Sequence, residues 1–223
     1  MEKNCTVTRQ LLPTEAQRLQ IDKRIAAANY LFALGAERFS PAVETLTEDP
    51  EFIRLFNQVD DSAHGEEQIK AAPDFFELVD RAVSAGLTKA GVTAWIAEAA
   101  EEHGFECLDN NIQNGLADRL YRALFFTVAN RCTGTSTSRY EYFDASWLDG
   151  MAWKLSDVCN TKTGSLLFAG QEIALKASEE GDVDLGKIPD GEAVNCKIIR
   201  RTRGQQRQYF VEFKASDPPV PIA

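Results

Sequence analysis

Apolar and polar positions alternate with period two over Cys5–Leu12, where Cys5, Val7 and Leu11 are separated by threonine and arginine, which predicts a β-strand stopped by Pro13. The period then changes. Thr14-Glu15-Ala16-Gln17 matches a capping box, in which the Thr14 side chain accepts from a first-turn amide and Gln17 reaches back. Ile21, Ile25, Ala28 and Phe32 follow on one helical stripe, widened by Tyr30, Leu31 and Leu34. Pro41 and Pro50 are expected to punctuate a short helical region ending near Asn57, and the polar run Asp60–Gln68 reads as a loop. Three more helices are predicted. Pro73–Ala85 carries Phe75, Val79 and Ala82 on one face with Gly86 as its stop. Thr88–His103 carries Val92, Ile96 and Ala99 and ends at Gly104, and Asp109–Ala129 spaces Ile112, Leu116, Leu120 and Leu124 by four.

Beyond Arg131 the texture changes again. Thr133–Ser138 is rich in glycine, serine and threonine, Tyr140–Phe143 reads as extended, and Trp147–Val158 is expected to form a short helix. Ser165–Phe168, Glu172–Lys176, Val194–Ile199 and Gln208–Lys214 are predicted strands, with Gly164, Gly170 and Gly181 as turn residues. One strand, a helical block and a β block imply an α+β fold, a sheet domain interrupted by a helical insertion.

Composition fits a folded chain: of 223 residues, 44% are hydrophobic. No stretch approaches the roughly 20 uninterrupted apolar residues of a membrane span. Met1-Glu2-Lys3-Asn4 leads into no apolar signal core, so a cytoplasmic location is the default expectation. Cys5, Cys107, Cys132, Cys159 and Cys196 are scattered and form no CxxC pair, and His64 and His103 are the only histidines; reduced thiols are expected, with no zinc site or other cofactor. There is no GxxxxGK[ST] loop and no GxSxG elbow, and both histidines sit where surface or helix-capping roles suffice.

Charge changes the picture most. The chain carries a formal −10, yet Ala193–Ala215 sets Lys197, Arg200, Arg201, Arg203, Arg207 and Lys214 against the single anion Glu212, leaving −15 on everything else. This segment reads as a hairpin. Tyr209, Val211 and Phe213 alternate with Phe210, Glu212 and Lys214, Cys196–Ile199 supplies the partner strand, and Arg200–Gln208 with Gly204 is expected to connect them. Guanidinium forks suit phosphate oxygens; the same arginines would equally serve to protect a sheet edge at a solvated tip.

The opening Thr6-Val7-Thr8-Arg9-Gln10-Leu11-Leu12-Pro13-Thr14-Glu15-Ala16-Gln17 and Ala27-Ala28-Asn29-Tyr30-Leu31 are the first of three anchors of a resemblance. The second is Asn114-Gly115-Leu116-Ala117-Asp118-Arg119-Leu120-Tyr121-Arg122-Ala123-Leu124-Phe125-Phe126. The third is Leu185-Gly186-Lys187-Ile188-Pro189-Asp190-Gly191 followed by Lys197–Arg201 and Tyr209–Phe213. In this order they resemble the N-terminal half of TnpB-like transposon proteins and miniature type V CRISPR effectors. The resemblance implies that residues 1–12 and 133–215 form a small antiparallel wedge barrel, OB-like, with Cys5–Leu12 as its opening strand and the basic hairpin as its closing strands. It further implies a helical recognition lobe over 13–132 and a Pro-rich tail over 216–223. The family's RuvC nuclease strand, with its metal-binding aspartate, has no counterpart in the sequence that ends at Asp217–Ala223, and Asp60-Asp61, Glu101-Glu102 and Glu179-Glu180 read as solvated surface.

The expected function is therefore a non-catalytic module that recognises structured, guide-type RNA or an RNA–DNA duplex, with target DNA as a further partner. Lys197, Arg200, Arg201, Arg203 and Arg207 are the candidate phosphate contacts, with Lys214 and Arg9 as weaker ones and Tyr209 and Tyr140 as stacking candidates. A second reading stays open. The acidic remainder, including Asp60-Asp61, Glu66-Glu67 and Glu98–Glu102, would suit an acidic interaction factor, a split-effector subunit or an inhibitor, that binds a basic nucleic-acid-handling protein such as a separate nuclease subunit.

Overall fold

The computed structural model describes residues 5–62, 75–134, 150–154, 165–168, 170–176, 195–203 and 206–215. Its architecture is mixed: helices and one antiparallel sheet. The elements are β1 (Cys5–Leu12), α1 (Glu15–Glu48), α2 (Pro50–Ser62), α3 (Phe75–Ser84), α4 (Lys89–Glu102), α5 (Asn110–Thr133), β2 (Gly150–Lys154), β3 (Ser165–Phe168), β4 (Gln171–Leu175), β5 (Asn195–Arg203) and β6 (Gln206–Ala215). The chain forms two compact units. One comprises Met1–Asn29, Gly104–Leu116 and Ala145–Ala223, the other Tyr30–His103 and Ala117–Asp144, so the divisions between them fall inside α1 and α5 as well as between elements.

In the first unit the strand order is β2-β5-β6-β1-β4-β3. The first strand lies inside the sheet, paired along β6 from Cys5↔Ala215 to Leu11↔Tyr209 and with β4 at Leu11↔Leu175 and Leu12↔Ala174. Among the described residues β2 and β3 form the two edges, with no ladder joining them. Residues opposite one another in an antiparallel ladder share a face. Leu11, Ile173, Leu166, Ile198, Tyr209 and Val211 therefore fall on one face, and all are buried. The first half of α1 lies against that face. Its N-terminus is closed by the capping box, with the Thr14 N–H donating to Gln17 Oε1 at 2.9 Å and the Gln17 N–H to Thr14 Oγ1 at 3.3 Å. Gln17 Nε2 also donates to the Glu172 carbonyl at 2.9 Å, and the Arg24 guanidinium sits 5.5 Å from the Phe168 ring centroid. Ile21, Ile25 and Ala28, with Leu108, Ile112 and Leu116, are also buried in this unit, as are Phe168 and Ile199.

The second unit is helical. Its core takes Leu31, Phe39, Val43 and Leu46 from α1, Phe52, Leu55 and Val59 from α2, Val92 and Ile96 from α4, and Leu120, Leu124 and Val128 from α5. Gly35 is buried at the closest approach of α1 to its neighbours: a Cβ there would stand 2.4 Å from Leu120 Cδ2 and 2.8 Å from Trp95 Cζ3. Thr88 caps α4 by accepting from the Gly91 N–H at 2.9 Å, and Gly86, at φ +79°, ends α3 in a conformation that side chains avoid. Lys89 and Arg122 both pair with Asp118, at 2.6 and 2.9 Å.

Four local expectations need correction. Pro41 does not break α1, which runs to Glu48. The missing N–H costs one helical bond, but Pro41 is exposed and the buried Phe39, Val43 and Leu46 on either side hold the helix together. Within Trp147–Val158, expected to be helical, Gly150–Lys154 is strand β2, because β5 offers it a ladder from Gly150↔Ile199 to Lys154↔Asn195. Tyr30 and Val79, expected on buried stripes, are exposed. The hairpin connection is far shorter than Arg200–Gln208, since pairing continues to Arg203↔Gln206. Tyr140–Phe143, His64 and the tail 216–223 lie outside the described residues. No helix among the described residues is long and apolar enough to cross a membrane.

Candidate nucleic-acid interface

Continuous pairing of β5 with β6 puts the predicted arginines on strands, where period two sends them to opposite faces. Arg200 lies opposite Tyr209, and Arg207 opposite Thr202, on the face that receives α1. Lys197, Arg201 and Arg203 lie opposite Glu212, Gln208 and Gln206 on the other.

On the inner face the arginines converge on Asp22 of α1. Arg200 Nη1 donates to Asp22 Oδ1 at 3.0 Å, Arg207 Nη1 to Oδ2 at 2.8 Å, and the Tyr209 hydroxyl to the same Oδ2 at 3.1 Å. The side chains of Arg200 and Asp22 are 20% and 19% exposed, so this cluster is shielded enough for its charge-assisted bonds to matter. Burial and the adjacent Asp22 carboxylate raise the Tyr209 phenol above its ordinary value, keeping it a donor. Arg9, paired across β1 with Val211, is on this face too and is only 6% exposed. Arg9 and Arg200 are thus held within the unit, and Arg207, although outward at 59%, shares the Asp22 carboxylate. Tyr209, 2% exposed, has no face free for stacking.

The outer face differs. Arg201 and Arg203 are exposed and Lys197 is half-buried. The Arg201 guanidinium lies 4.9 Å from the Phe210 ring centroid, with Nη2 3.7 Å from Glu212 Oε1. An exposed ion pair that long is worth at most ~1 kcal/mol, so Glu212 does not lock the guanidinium away from another anion. The Phe210 ring face adds a cation–π contact worth about 0.5–1 kcal/mol at an exposed site. Gln206 and Gln208, and Gln10 opposite Phe210 on β1, add amide groups to the same face. Lys214 pairs opposite Thr6, which gives it the same face by register; its side chain lies outside the described residues, as does Tyr140.

Sequence reading missed Asp22. It follows the core residue Ile21 in a helix, with nothing local to distinguish it from a solvated carboxylate; only packing of α1 on the sheet reveals its partners. Other chemistry is sparse. Among the described residues no three His, Cys, Asp or Glu side chains come together in a metal-holding group. Burial pushes the Cys132 thiol up to about 11, which keeps it protonated and unreactive at neutral pH. His103 closes α4, its ring edge-on to Tyr30 at 5.2 Å. In comparisons with known proteins, no family model, curated protein or solved structure matches the chain.

Proposed function

We propose that this chain is a non-catalytic nucleic-acid-binding module that uses the outer face of the β5–β6 hairpin to grip the phosphate backbone of structured, guide-type RNA or of an RNA–DNA duplex. The observation that carries this reading is the placement of Lys197, Arg201 and Arg203 on one face, with the Arg201 guanidinium 4.9 Å from the Phe210 ring centroid. Arg201 and Arg203, at alternate strand positions, stand about 7 Å apart, near the spacing of successive phosphates, and Lys197 follows four residues from Arg201 across Ile199. Glutamine amides between them are suited to sugar hydroxyls. In this reading the sheet belongs to a small wedge-type barrel and the helices of the second unit form a recognition lobe. Pairing of β1 with the last hairpin supports that arrangement.

The test is a salt series of fluorescence anisotropy on a labelled RNA hairpin. Neutralising two or three phosphates gives a slope of log affinity against log salt of about −2 to −3. Arg201→Ala with Arg203→Ala should reduce that slope by about 2 and weaken binding to all sequences alike. A slope near zero, or one the double substitution leaves unchanged, overturns the proposal.

A further inference from the structure

Among the described residues, β1 last pairs with β6 at Leu11↔Tyr209 and β2 with β5 at Gly150↔Ile199, yet β5 and β6 stay paired through Arg201↔Gln208, Thr202↔Arg207 and Arg203↔Gln206. The end of the hairpin is therefore a two-stranded arm that runs three rungs past both flanking strands. Its six paired residues include no carboxylate and no apolar side chain, and burial is not what orders them: Gln208 is half-buried and the other five are exposed. Cations stand on both faces. Arg201 and Arg203 occupy the outer one, and Arg207, 59% exposed, the inner one. Asp22 meets Arg207 only through Nη1 and sets one negative charge against two guanidiniums, so it cannot neutralise both. A phosphate grip confined to the outer face leaves this third exposed arginine without a role.

On the basis of that outer-face grip, we propose that the arm enters a groove of a double-stranded nucleic-acid segment, with Arg201 and Arg203 on the phosphates of one wall and Arg207 on those of the other. Sheets pack face to face about 10 Å apart, so guanidiniums on opposite faces of one ribbon are separated by at least that order of distance, with the backbone between them. Successive phosphates of a single strand meet one face of such an arm. A groove presents phosphates on two walls, and a two-stranded ribbon is thin enough to stand between them. Side-chain chemistry points the same way. Unpaired strands are held by stacking their bases on aromatic rings, and the rungs of the arm carry none. Thr202, Gln206 and Gln208 instead supply donors and acceptors for sugars and the edges of paired bases.

The experiment compares the full chain on a labelled RNA hairpin and on a single strand of equal length that cannot pair with itself, each over a salt series by fluorescence anisotropy. The hairpin should bind about tenfold tighter or more. Arg207→Gln, which keeps an amide to donate to Asp22, should lower the hairpin's slope of log affinity against log salt by about 1 and narrow the gap between the two RNAs. Arg207→Lys, which keeps the charge, should hold the slope, and thermal unfolding establishes that both variants are folded. Single-strand binding equal to that of the hairpin, equal binding of a polyglutamate peptide, or a hairpin slope that Arg207→Gln leaves as it was would overturn the groove assignment. Should Arg201→Ala with Arg203→Ala then still lower the slope on both RNAs, only the groove assignment is lost; should it change neither slope, the outer-face grip is lost as well.

Discussion

Replacing Gly35 by alanine sets helix propensity against packing. In an open helical position the change is worth about 1 kcal/mol of added stability, because alanine loses less backbone entropy on folding. At Gly35 the new methyl would meet Leu120 Cδ2 at 2.4 Å and Trp95 Cζ3 at 2.8 Å, where carbons prefer roughly 3.5–4.0 Å. Neither neighbour gives way readily. Leu120 is fully buried, and the Trp95 ring is held edge-on to Phe39 at 5.8 Å. Overpacking of this kind costs about 1–3 kcal/mol, and relief of so short a contact in a filled core lies at the upper end. The expected net effect is destabilisation by about 1–2 kcal/mol, a fall in Tm of roughly 3–6 °C. Urea unfolding followed by helical circular dichroism measures it. Trimming the nearest atom provides the internal control, since Leu120→Val should cost less when combined with Gly35→Ala than in the native chain, with coupling of at least ~0.5 kcal/mol. A stabilised Gly35→Ala variant, or strictly additive effects of the two substitutions, would refute the claim that Gly35 is selected by the approach of three helices.

Two further predictions concern the inner face of the hairpin. Asp22→Ala removes the shared acceptor of Arg200, Arg207 and Tyr209, and should cost about 2–3 kcal/mol in urea unfolding; Asp22→Asn, which keeps one acceptor oxygen, should lose less. An effect within experimental error would show that the cluster contributes nothing to docking α1. Tyr209 gives an alkaline signature: its phenol is raised above the ordinary 10.0 in the folded state, so its contribution is complete below that pH and is lost as pH rises through the native value. A stability profile from about pH 8 to 11.5 should show this decline, flattened by Tyr209→Phe, and an equal decline in both proteins would contradict the assignment.

Much of the local structure was legible because its causes are local. The capping box at Thr14–Gln17 forms its two reciprocal bonds, Thr88 and Gly86 bound their helices, and the alternation over Tyr209–Val211 correctly assigned the buried side. Where long-range contacts compete with a local signal, they prevail. Pro41 is carried through by core residues on both sides, and Gly150–Lys154 is a strand because β5 lies beside it. Segregation of charge into one hairpin was visible as composition, but its division into two arginine sets depends on register, and a short run with uncertain turn length does not define register.

By itself, then, the sequence determined the α+β class, the positions of most helices and strands, and the presence of a basic hairpin in an acidic chain. Only the tertiary structure decided which cations face outward. A carboxylate in the first half of α1 claims Arg200 and Arg207 from the far end of the chain, while Arg201 and Arg203, on the opposite face of the same hairpin, stay at the surface. The physical reason is the pleat: neighbouring residues on a strand point to opposite sides of the sheet, and what covers each side is fixed by packing of a distant segment.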